Sequence, residues 1–264
     1  MATPFIVYKY RDWKEIYQQN TLTKREIFLA SPDDINDPFD CTIHEDLSLL
    51  DTNEKREKYV DKYVIEALSG VAYEEEYLQA MRQRLILEIE NNPKKLMGKY
   101  DLVYKIKGNR YFGIFSTSLI WDNIQMWSYY AKNHSGFCIG FDSDKLFNKL
   151  PSCRSAPIRY AKEFPRIDPL ADNFIHAFES SHTKDINWKH EKEYRYFSNV
   201  QIEKKIFKSR IITLEKECFK ELLIGLKFPE EGLNKIKRIA EDLEVPLFKI
   251  TKSNSSFKLG RERI

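Results

Sequence analysis

Two short apolar runs with a helical stretch between them constrain this chain more than any other feature. Residues 111–115, YFGIF, and 137–141, FCIGF, are apolar and aromatic and bounded by polar residues, which reads as two buried strands. Between them Ile124, Trp127, Tyr130 and Ala131 recur at helical spacing. Asp122 or Asn123 is placed to cap that helix, and His134, Ser135 and Gly136 to stop it. The first run ends in Ser116, Thr117 and Ser118, and the second at Asp142. A strand–helix–strand unit thus carries hydroxyls, a Trp, a His and a carboxylate to element ends, where a rigid scaffold can expose chemistry.

The rest of the chain alternates in the same manner. Residues 5–10 form an expected first strand, with Lys9 and Arg11 on one face and Tyr8 and Tyr10 on the other. A short helix from Asp12 to about Asn20 and a strand at 26–30 precede SPDDINDPFD, a loop dense in turn formers. Its aspartates read most simply as turn makers, with a substrate-facing or metal-facing acidic loop as the alternative. From about 52 to 104 the composition shifts to mixed charge and strong helix formers, the pattern of an inserted helical hairpin or lid. After Asp142 come a short helix to about Leu150 and a strand near 156–160. An amphipathic stretch around 168–185 follows, with Leu170, Phe174, Ile175 and Phe178 as its stripe and His176 and His182 assigned to the surface.

Beyond Trp188 the alternation places Glu191, Glu193 and Arg195 on one strand face and Lys192, Tyr194 and Tyr196 on the other. Strands at 210–214, 221–225 and 246–250, a helix at 230–243 and a loose basic tail from Thr251 complete the chain. These elements predict an α+β fold: a mixed, largely antiparallel sheet core flanked by helices, with the helical hairpin inserted in a single domain spanning 1–264.

Composition narrows the class. With 264 residues and 42% hydrophobic content the chain can bury a real core. The formal charge of +3, from 43 basic and 40 acidic residues, neither demands nucleic acid nor forbids a local basic patch. No apolar run approaches the roughly 20 residues that span a bilayer, and MATPFIVYKYRDWKE lacks the pattern of a signal peptide, so a cytoplasmic protein without a membrane partner is expected. Cys41, Cys138, Cys153 and Cys218 form no CxxC pair and are expected to be reduced and mostly buried. Cys41 and His44 have ligand-like spacing but no second pair, and no metal is expected.

Four blocks together resemble a bacterial family of unknown function: IVYKYR at 6–11, INDPFD at 35–40, MWSYYAKNHSGFCIGFD at 126–142, and W-x-x-E-x-E-Y-R at 188–195. Tyr129 stands where that family commonly has His, and Tyr194 where it has Trp. The resemblance implies a stand-alone bacterial cytosolic protein of the kind found near mobile elements and phage defence; it brings no settled activity.

A second, shorter resemblance concerns chemistry. Lys9 or Arg11, then Ser116-Thr117-Ser118, then Glu191-Lys192-Glu193 follow the order of the arginine–serine–glutamate branch of ADP-ribosyltransferases. That reaction needs a cation for the phosphate or ribose of NAD, a hydroxyl strand beside nicotinamide, and a carboxylate that stabilises an oxocarbenium-like transition state. The resemblance assigns Glu193 as the catalytic carboxylate, Glu191 to position the acceptor, and Ser116 to support Glu193. Arg11, Lys9 and Ser118 would contact NAD, a co-substrate, with Trp127 and Tyr130 stacking on it. A nucleic acid or a protein would be the acceptor. Two other readings stand beside this one. A metal-dependent nuclease would use Asp37, Asp142, Glu191 and Glu193. A non-catalytic nucleotide sensor would use the aromatic unit as a stacking pocket.

Overall fold

A computed structural model describes residues 4–68, 74–93, 112–199, 201–202, 205–206 and 210–264. Its elements in chain order begin with strand β1 (Ile6–Arg11), helix α1 (Ile16–Thr23), β2 (Glu26–Phe28), α2 (Asn53–Leu68), α3 (Glu75–Asn91), β3 (Phe112–Ser118) and α4 (Ile124–Tyr129). Next come β4 (Phe137–Asp142), α5 (Ser143–Lys149), β5 (Cys153–Pro157), β6 (Arg159–Ala161), α6 (Asn173–Ser181), β7 (Thr183–Asp185) and β8 (Glu193–Asn199). The chain ends with β9 (Gln201–Ile202), β10 (Lys205–Ile206), β11 (Ile211–Thr213), β12 (Phe219–Ile224), α7 (Glu230–Leu243), β13 (Leu247–Lys252) and β14 (Leu259–Arg263).

The main sheet has eight strands in the order β14-β13-β12-β4-β1-β3-β8-β5. Its neighbours are antiparallel except β12 and β13, which are parallel and joined through α7. An α+β fold with a mixed, mostly antiparallel sheet is therefore observed. The two apolar runs supply its middle. Every residue of β4 is buried, so both faces of that strand are covered. Alternation along β1 and β4 splits the core in two. Val7, Phe137, Ile139 and Phe141 join the cluster beneath α5 and α7, while Tyr8, Tyr10 and Cys138 join Met126 and Trp127 of α4.

Helices α2 and α3 fall within the expected insertion at about 52–104, and Tyr59, Val60 and Ile89 pack there with Leu47 and Leu50. Gly70 and residues 94–104 of that expectation lie outside the described residues.

The hydroxyls Ser116–Ser118 are the last three residues of β3, which stays paired with β8 as far as Ser118. Several expected features are corrected. The tail is not loose: Leu259–Arg263 returns along β13 as an antiparallel hairpin. The strand near 156–160 breaks at Ile158 into β5 and β6, which pair with different partners. His176 and His182 are buried rather than on the surface, 8% and 4% exposed. Helix α6 is covered on more than its apolar stripe. His176 Nε2 lies 3.2 Å from the Ile43 carbonyl, and the His182 ring stacks on Phe178 with centroids 4.0 Å apart. Glu191 is not on the strand; it closes a 3₁₀ turn, Ile186–Glu191, and left-handed Lys192 (φ 46°) turns the chain into β8.

Candidate functional site

The site lies where the sheet splits. β1 shares six register pairs with β4 but a single one with β3, Tyr8 opposite Ser118. Past that bridge β3 changes partner: Ile114 and Ala30 exchange two backbone hydrogen bonds of 2.8 Å. The two strands diverge, and a cavity of about 460 Å³ opens between them. That size lies within the roughly 300–1,000 Å³ of small-molecule pockets. Lys9, Arg11, Ser116, Ser118, Tyr130, Glu191 and Glu193, all named from sequence, line it together.

Trp127 does not line the cavity. It is fully buried beneath α4, its ring edge-on to Tyr10 and its Nε1 donating to the Trp121 carbonyl at 2.7 Å. A fully buried indole with His134 stacked on it and its polar edge engaged packs the core and cannot stack on a ligand. Asp142 likewise lies apart: it opposes Ile6 at the far end of β1, caps α5 and pairs with Lys220 at 3.0 Å.

The two walls of the cavity carry opposite charge. On the β1 side, Lys9 Nζ donates to the Ser116 carbonyl, and Arg11 Nε has no hydrogen-bond partner. Among the described residues neither cation has a carboxylate within ion-pair distance. Burial, reinforced by the neighbouring Arg11, holds the Lys9 ammonium well below its ordinary pKa, and burial lowers Arg11 to about 10. At the opposite wall Asp40, Glu191 and Glu193 meet Lys184 and Arg195. Arg195 grips Asp40 through two bonds of 2.7 Å and Glu193 through bonds of 2.7 and 3.0 Å. Lys184 Nζ lies 2.8 Å from Glu191, 3.4 Å from Glu193 and 3.7 Å from Asp40. Asp40 does not itself line the cavity, but with it the buried cluster behind this wall sets three carboxylates against two cations and holds one formal negative charge.

Burial opposes ionisation of Glu193, but Arg195 and Lys184 outweigh it and hold the pKa down to about 2, with Ser116 a further hydrogen-bonding neighbour. Glu193 is thus a fixed anion rather than a proton acceptor. Local folding positions its partners. Ser118 Oγ donates to the Glu191 carbonyl at 2.7 Å and anchors the 3₁₀ turn, and the Tyr160 hydroxyl accepts from the Glu193 N–H at 2.8 Å. Tyr130 donates to Glu191 Oε1 at 2.5 Å while accepting from Asn36 of the turn-rich loop at 3.2 Å.

Sequence reasoning missed Asp40 and Lys184. Asp40 closes the INDPFD block, where turn chemistry is the simpler explanation. Lys184 sits in a three-residue strand, too short for alternation to declare a face.

Fold and site together define an α+β protein with a dipolar cavity set into a split in its sheet. Residues 126–196 match the family model for proteins of unknown function DUF2971, a segment running from α4 through most of β8. Comparison with curated proteins and with solved structures gives no match. Among the described residues no helix is long and apolar enough to cross a membrane.

Proposed function

We propose that this chain is an ADP-ribosyltransferase-like enzyme that uses NAD to modify a macromolecule, acting in the cytoplasm in a bacterial defence or toxin role. The observation that carries this reading is the convergence of Arg11, Ser116 and Glu193, from three separate strands, on one cavity. A cavity with unpaired cations on one wall and excess carboxylate on the other suits a ligand that is itself anionic at one end and cationic at the other. NAD has that form, with a diphosphate and a nicotinamide ring carrying positive charge, and its bond between ribose C1′ and the nicotinamide nitrogen is the one to be broken.

The residues divide the work accordingly. Lys9 and Arg11 face the diphosphate as charge-assisted donors. Glu193, kept ionised by Arg195 and Lys184, places fixed negative charge where positive charge develops on the ribose, and a preorganised charge needs no rearrangement during reaction. Tyr130 and Lys184 hold Glu191 beside it, oriented toward an incoming acceptor. Steady-state nicotinamide release tests this division. Arg11→Gln should raise KM about tenfold with kcat little changed, whereas Glu193→Gln should lower kcat by about 10²–10³. Equal kinetics for wild type and Glu193→Gln would overturn the assignment.

The nuclease reading finds less support. Asp142 lies at the other end of β1, Asp37 accepts from the Phe39 N–H and does not line the cavity, and Glu191 and Glu193 are already bound to Lys184 and Arg195, which a hard divalent cation would have to displace.

A further inference from the structure

The turn that presents Glu191 to the cavity also carries residues that do not line it. Along INWKHEK, residues 186–192, Glu191 is the one carboxylate, and it is buried. Lys189 and Lys192 are exposed, with Trp188 and His190 half-buried between them. The Trp188 and His190 rings stack with centroids 6.2 Å apart, and the Tyr129 ring of α4 stands edge-on to His190 at 6.0 Å. Tyr129 is 66% exposed. His190 Nε2 is shielded from solvent and has no protein partner. The result is a row of three rings with the exposed Lys189 and Lys192 beside them, on and beside the turn whose Glu191 reaches the cavity next to Lys184 of β7.

We infer that this ledge receives single-stranded nucleic acid and that a nucleobase is the acceptor. The inference rests on the transferase reading and names its substrate class. Lys184 Nζ already sits over the Trp188 ring, 4.7 Å from its centroid, so the exposed Tyr129 ring offers the stacking surface for an unpaired base, and Lys189 and Lys192 are the cations for the neighbouring phosphates. A duplex would hide its base faces and could use the lysines alone. The ledge leads inward: Tyr129 is followed by Tyr130, whose hydroxyl binds Glu191. In the transfer, the bond from ribose C1′ to the nicotinamide nitrogen breaks and its electron pair leaves with nicotinamide. A base nitrogen forms the new bond to C1′, and its proton passes to the Glu191 carboxylate.

Fluorescence anisotropy of the full chain with labelled DNA and RNA single strands of about 12 nucleotides, and with the matching duplexes, tests the ledge. A single strand should bind at least tenfold more tightly than its duplex, and the DNA and RNA arms identify which acceptor is preferred. Tyr129→Ala should weaken single-strand binding about tenfold, and Lys189→Ala should reduce the salt dependence by about one phosphate contact. Thermal midpoints close to wild type would show that both variants fold. Absence of single-strand binding, or identical binding by wild type and Tyr129→Ala, would overturn the inference. Nicotinamide release with the adduct found on protein instead of the oligonucleotide would overturn it as well, while leaving the transferase reading intact.

Discussion

Arg195 and Asp40 lie 155 positions apart and meet through two parallel hydrogen bonds of 2.7 Å, with both side chains fully buried. This fork ties the turn-rich INDPFD block to β8 and closes the carboxylate wall of the cavity. Arg195 also donates to Glu193 and to the Ser181 carbonyl, so one guanidinium joins a loop, a strand and the end of α6.

Replacing that guanidinium should therefore be severe. Arg195→Ala leaves Asp40 and Glu193 buried without their main counter-charge, and a loss of about 3–5 kcal/mol is expected. Asp40→Ala should also destabilise, and the double variant should lose clearly less than the sum of the two. Denaturant unfolding of the four proteins measures this; additive losses would mean that the two residues do not act as a pair.

Acid should weaken the protein in two stages. The His182 pKa is lowered to about 4, chiefly by burial and then by Arg195, so between pH 6.5 and 4 the unfolded chain takes a proton that the native state refuses. Stability falls with pH across that window by on the order of 3 kcal/mol and levels off below it. Glu193 acts later: its native pKa of about 2 lies below the ordinary 4.5, so its contribution is complete above pH 4.5 and is lost as pH falls toward 2. His182→Gln should flatten the first stage and leave the second. Denaturation midpoints measured from neutral pH downward separate the two, and an unchanged first stage in His182→Gln would refute the assignment.

Ligand binding should draw in a proton. Lys9 is held well below its ordinary pKa by burial and by Arg11, and a diphosphate placed beside it would raise that pKa again. Calorimetric titration with ADP in buffers of differing ionisation enthalpy should show net proton uptake at alkaline pH. Lys9→Met should abolish the uptake, and uptake unchanged in that variant would assign it elsewhere.

The turn beneath the site leaves no space for a side chain at one point. A Cβ on Gly136 would meet the carbonyl oxygen of Arg11, since the segment after α4 passes directly against the end of β1. Gly136→Ala should push Arg11 out of register, destabilise by about 2–3 kcal/mol and weaken ADP binding. Wild-type stability in this variant would show that the turn yields freely.

What could be read in the sequence follows the range of the interactions. Helix α7, with its strong helical pattern, lies at Glu230–Leu243 as expected, and the two aromatic runs are central strands. The burial of His176 and His182 was not legible, because it depends on the 43–45 segment and on Arg195, both distant in sequence. Glu191 and Glu193 reach one cavity by a different route from the alternation that first suggested it: a left-handed Lys192 replaces the strand pleat. Nothing local marked Lys184, whose meaning comes wholly from the three carboxylates around it. Trp127 shows the converse. A lone indole at helical spacing carries no sign of whether its face meets the core or a ligand.

Mass-resolved NAD turnover by the purified chain, incubated with a bacterial lysate beside a Glu193→Gln control of matched thermal midpoint, tests the central claim most directly. Nicotinamide release and an ADP-ribose adduct, both lost in Glu193→Gln, are the expected result. Intact NAD under conditions where the protein is toxic to cells, or turnover unaffected by the substitution, would contradict it.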